Sequence, residues 1–333
     1  MLRWGSEAVL AADVVLNFLY MKWLKRYLGQ AMIIAVVIVG IRFTQDLQDW
    51  GKLLHYQASP AIARLATTTT MTDTARKLFY VNQPTIEGHK SSLNLCKSTE
   101  HTIVLGCYVP SKGIFLQEVT DPRLQGVMEV TAAHEMLHAA YQRMTLLEQT
   151  QINQRLQSVL EKLQNPRILK LVETYRSQDP RSVDNELHSI LGTEVLNLSP
   201  DLEAHYRKYF TDRSAIVVLS EKYERVFTAL RNKAKTLNAQ LGERKLALER
   251  LAEQVQQQAT SIDSERSNLQ GLSTSNSQSD YNSRVANFND RVNGYNQIVA
   301  RLREQTETYN QMVTEHNSIA LEEKSLVESL ENK

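Results

Sequence analysis

The chain predicts an α+β domain followed by a long all-α antiparallel coiled-coil hairpin, with a transmembrane helix near the N-terminus. Three observations carry this. An apolar run follows basic residues between 21 and 43. Short β-branched and aromatic stretches give way to helical periodicity between 72 and 213. From 214 to 333 a three-four spacing of apolar residues is broken by one polar loop. A length of 333 residues suits about two domains of roughly 150 each. With 42% hydrophobic and 23% charged residues the material is ordinary globular protein. The 38 basic and 37 acidic residues form no block of one sign, so nucleic acid is not expected as a partner.

Residues 21–43 read "MKWLKRYLGQAMIIAVVIVGIRF". Lys22, Lys25 and Arg26 precede an uncharged run from Tyr27 to Ile41, and Trp23, Tyr27 and Phe43 suit membrane interfaces. No small-x-small cleavage site follows, so the pattern predicts an uncleaved signal-anchor rather than a removed signal peptide. The positive-inside rule then keeps the N-terminus in the cytoplasm and makes this a single-pass membrane protein with everything after about residue 43 extracytoplasmic. Met21 also has the form of a start codon, which would make residues 1–20 an extension from a misassigned start.

The cysteines agree with export. Cys96 and Cys107 flank "KSTEHTIVLG", close enough to bridge two strands or a strand and its loop. Such a bridge needs an oxidising compartment. Two unrelated buried thiols are the alternative. A zinc knuckle is not, because the spacing is wrong.

Residues 44–71 read as a stalk, with a Ser-Pro helix start and the polar break "TTTTMTDT". In residues 72–213, "KLFYVNQPTI", "HTIVLGCYV" and "GIFLQEVT" read as strands divided by Pro, Gly and Ser. Asp121 is placed to cap the next helix, with Pro122 in its first turn. Ser182 is placed to cap a later helix, and Ser199-Pro200 to start the one after it.

The helix after Pro122 contains "TAAHEMLHAA". His134 and His138 are one turn apart on one face and can reach a single ion together. Neutral imidazoles suit Zn²⁺, and a catalytic zinc takes three protein ligands and a water. Glu135 lies about 100° round the helix, placed to meet that water as general base. A third ligand is expected from "NELHSILGTE": Glu186 ranks first, His188 second, Glu194 third. Ser189, one turn beyond Glu186, leaves room for close helix approach. Glu194, on the same side, suits a partner for a histidine ring. Each of these residues has a plain alternative as helix surface or core.

"HEMLH" with a downstream glutamate on a second helix resembles the gluzincin group of zinc metallopeptidases. The interval of 48 positions (186 − 138) is closer to the lethal-factor-like branch than to thermolysin-like enzymes. The resemblance implies a zincin-like fold for 72–213, Zn²⁺ held by His134, His138 and Glu186, Glu135 as catalytic base, and a protein or peptide substrate. A strand beside the motif helix would hold that substrate by edge pairing. The resemblance also implies a Tyr or His for the oxyanion, with Tyr206 and Tyr209 as candidates. Ile190 stands where the group commonly has an aspartate. The whole layout resembles uncharacterised bacterial membrane-anchored peptidases with a C-terminal coiled coil.

Two arms, from Tyr223 to Leu269 and from Tyr281 to Val313, flank "GLSTSNSQSD" and predict the hairpin. Polar seam positions such as Arg244, Gln258, Glu265 and Thr306 leave pairing with other chains as an alternative. The arm is expected to dock a protein partner or act as a spacer, and its deletion to leave hydrolysis largely intact. The first functional expectation is a membrane-anchored extracytoplasmic zinc endopeptidase. The second is a membrane-tethered coiled-coil adaptor whose zincin-like domain is inactive and only binds peptide.

Overall fold

The computed structural model describes residues 27–37, 40, 44–88, 96, 105–272 and 278–331. Residues 27–37 and 44–55 are helical, the latter being α1. There follow α2 (Pro60–Thr68), α3 (Asp73–Val81), β1 (Thr85–Glu87), β2 (Gly106–Val109), β3 (Gly113–Gln117), a 3-10 turn (Pro122–Leu124) and α4 (Val127–Gln142). The body continues through α5 (Leu146–Leu160), α6 (Pro166–Gln178), α7 (Val183–Glu194) and α8 (Pro200–Tyr206). The arms are α9 (Arg213–Leu272) and α10 (Gln278–Glu331).

Two features of the expected fold class are overturned. Of the described residues 79% are helical, and the one described sheet has strands of only three, four and five residues, so the described part is predominantly helical rather than evenly α+β. The run "KLFYV" is where the reading failed. Thr72 accepts a hydrogen bond from the Ala75 N–H, Asp73 sits in the first turn, and Ala75, Leu78 and Phe79 are buried at helical spacing. Cap and periodicity outweighed the strand propensity of Phe and Tyr.

The transmembrane helix at 21–43 is likewise not supported. Among the described residues no helix is long and apolar enough to cross a membrane. The rest of the expected anchor, at 21–26, 38–39 and 41–43, lies outside the described residues, as do 1–20 and the hairpin loop 273–277.

The stretch read as a stalk packs on the body. Ile62, Leu65 and Ala66 of α2 are in the main core, and buried Asp49 of α1 accepts two bonds from Arg143 at the end of α4. Asp121 caps the 3-10 turn rather than α4, which starts after Gly126 (φ 105°). Ser182 stands at the N-cap of α7, but its hydroxyl donates to the Asp179 carbonyl instead of accepting from the helix. Ser199 does cap α8.

The sheet order is β1-β3-β2, with β1 parallel and β2 antiparallel to β3. β3, the strand that leads into α4, is central, and β1 and β2 are the edges of the described sheet. α4 runs through the core, packed on α7, β2 and the first turns of α9. Its residues Ala132, Ala133, Met136, Leu137 and Ala139 are fully buried.

Candidate metal centre

Two helices bring three ligand types together. His134 and His138 of α4 stack edge to face, ring centres 4.7 Å apart. Glu186, in the first turn of α7, places Oε2 at 3.6 Å from the Nε2 of each histidine. One ligand atom from each of the three lies within 4.8 Å of the others, so the group can hold a metal ion. Zinc bonds of about 2.0–2.2 Å at tetrahedral angles would set neighbouring donor atoms about 3.3–3.6 Å apart. The donor chemistry and two of the spacings therefore fit zinc.

Glu135 is buried on the same helix and lines the same cleft as the three ligands. Burial alone would raise the Glu186 carboxyl. The charge of His138, the hydrogen bond and charge of His134 and a hydrogen bond with Tyr175 outweigh it and hold the group below its ordinary value. Glu186 is thus anionic at neutral pH, as a ligand must be.

The other sequence candidates do not join the three-residue cluster. His188 is fully buried, its Nε2 is 2.9 Å from Nε2 of His205, and its carbonyl accepts from the Tyr206 hydroxyl. Burial, then the neighbouring His205, hold it well below the usual histidine range. Glu194 lines the cleft but is engaged by Arg167, which also faces Glu224 of α9. It is an ion-pair partner, and Nδ1 of His138 is buried without a partner. Tyr206 is fully buried, and Tyr209 stacks on the His205 ring, 5.5 Å between centres.

Sequence reasoning missed Tyr175. It comes from α6, lines the cleft and bonds to Glu186. No motif marks it; the only available signal was a tyrosine on the helix before the ligand helix.

Opposite α7, Gly106, Cys107, Tyr108 and Val109 of β2 form a wall of the cleft. Leu105 accepts from the Gln117 N–H, and alternation along the register makes Cys107–Phe115 and Val109–Gly113 the bonded pairs. The backbone groups of Gly106 and Tyr108 consequently point away from β3. Cys96 and Cys107 form a disulfide with Cα atoms 5.8 Å apart, and both line the cleft.

Comparison with protein-family models, curated proteins and solved structures finds no match for this chain.

Proposed function

We propose that the protein is a zinc-dependent endopeptidase acting on an extended peptide. The observation that carries this is the convergence of His134, His138 and Glu186 at zinc-ligand spacing beside Glu135, in a cleft walled by an edge strand. Zinc in this set would acidify a water molecule and polarise the scissile carbonyl. Glu135 would take the proton from the attacking water and return it to the leaving amine. Gly106 and Tyr108 would hold the substrate backbone as an added strand. Tyr175 holds the Glu186 carboxylate and lines the cleft. The disulfide favours an oxidising, extracytoplasmic location.

The test is metal content and peptide hydrolysis of the purified chain. About one zinc per chain with hydrolysis is expected. Glu135→Gln should keep the metal and lose hydrolysis by more than about 10²–10⁴-fold, because it removes the base and no ligand. His134→Ala, His138→Ala and Glu186→Ala should each lose both. A second reading, a peptide-binding scaffold without catalysis, draws support from the arm, which is anchored to the body at both ends. Wild type that binds peptide but neither zinc nor a cleavage product would select it.

A further inference from the structure

The edge strand is fastened to the metal-bearing helix on both sides of the histidines. At one end Gly106 lies so close to α4 that a Cβ there would stand 2.7 Å from Cγ2 of Thr131, one turn before His134. At the other end the Tyr108 hydroxyl donates a hydrogen bond to Oε1 of Gln142, one turn after His138. Gly106 and Tyr108 are also the two residues whose backbone groups face away from β3. Cys107, between them, is tied by the disulfide. Among the described residues these backbone groups have no strand partner, and the edge that carries them is tied to α4 on both sides of His134 and His138.

We propose that Tyr108, through Gln142, is a positioning residue that sets the distance between the substrate-pairing edge and the metal centre. This rests on the peptidase reading above. The Tyr108 hydroxyl is suited to the part: burial raises it above its ordinary range, Arg143 opposes this only in part, and it remains a donor at neutral pH. An edge that moves relative to α4 pairs with the substrate in the wrong place, weakening binding before it alters the ligand set.

The experiment uses the zinc-loaded full chain and the internally quenched decapeptide that wild type cleaves best. Tyr108→Phe and Gln142→Leu each remove the bond and should raise KM by about 3–10-fold, the worth of one net hydrogen bond. The change should fall on KM far more than on kcat, with zinc content unchanged. Gln142→Glu keeps an acceptor and should restore a KM close to that of wild type. A wild-type KM in Tyr108→Phe overturns the inference, as does a parallel loss of kcat and zinc, which would make the bond merely structural. Wild type that cleaves no peptide overturns the peptidase reading itself, and this inference with it.

Discussion

Nε2 of His138 and Oε2 of Glu186 stand 3.6 Å apart, although 48 positions separate them along the chain (186 − 138). Helices α4 and α7 can approach this closely because the faces between them carry small side chains. Ser189 is fully buried one turn beyond Glu186. At Gly192, a Cβ would meet Cδ1 of Leu137 at 2.5 Å and Cε1 of Tyr206 at 2.8 Å.

Gly192→Ala should therefore harm the site from a distance. Alanine favours the helix by about 1 kcal/mol, but overpacking a filled core costs about 1–3 kcal/mol. Leu137 and Tyr206 are both fully buried, so neither yields easily. The expected result is a melting temperature a few degrees lower, together with weaker zinc binding, since Leu137 adjoins His138. A raised melting temperature with unchanged zinc affinity would show that the neighbours give way.

Tyr175→Phe deletes the hydroxyl that bonds Glu186 and leaves the ring. Losing such a partner of a metal ligand typically weakens metal affinity by about 10–100-fold. Chelator competition on the purified chain measures this. An affinity equal to wild type would mean that the histidines alone orient the carboxylate.

Acid sensitivity should trace in part to the histidine pair behind the site. Burial, followed by the nearby Lys208 and Arg155, lowers His205 from 6.5 to about 4, and burial lowers His188 in the same direction. The unfolded chain then binds more protons than the native one between about 4 and 6.5. Stability is full above 6.5 and is lost as pH falls towards 4. His205→Gln should flatten the decline of melting temperature between pH 6.5 and 4 without abolishing it, because His188 remains. Identical slopes in wild type and variant would remove His205 from the account.

How much of this was legible in the sequence depended on the range of the interactions. His134, Glu135 and His138 belong to one helical turn, so their spacing alone placed them together. Glu186 emerged from the chemistry of its neighbours on the next ligand-bearing helix. Glu194 was misassigned because its partner, Arg167, lies on a different helix with no pattern connecting them. Tyr175 and Tyr108 act through bonds to residues 11 and 34 positions away (186 − 175 and 142 − 108). Neither sits in a local motif. The hairpin was readable from period, since Phe227, Leu237, Leu251 and Leu269 of its seam are buried, but where it joins the body was not. That junction is a tertiary contact, invisible to a heptad count.

The arm and the body consequently share a core, which the expectation of harmless deletion overlooked. Ile216 and Val217 of α9 are fully buried, and Arg213 bonds the carbonyls of Leu191, Val195 and Leu196 at the end of α7. At the far end of α10, Leu326 and Leu330 pack with Leu124, Val127 and Phe227, and Gln117 donates to the Leu330 carbonyl at 2.6 Å. Two buried leucines contribute about 1.5–3 kcal/mol each. Ending the chain at Asn317 should thus lower the melting temperature of the whole body and reduce hydrolysis. A shorter hairpin should do neither. The pairs Lys233–Glu315 and Glu265–Arg291 cross between the arms, and Leu241 and Gln311 lie between them along the hairpin. Joining those two positions by a short Gly/Ser linker removes the distal hairpin but keeps both attachments. Melting and peptide hydrolysis of the two variants, measured side by side, separate the roles. Equal stability in both would show that the α10 contact contributes nothing, whereas equal loss would give the distal hairpin a part in folding.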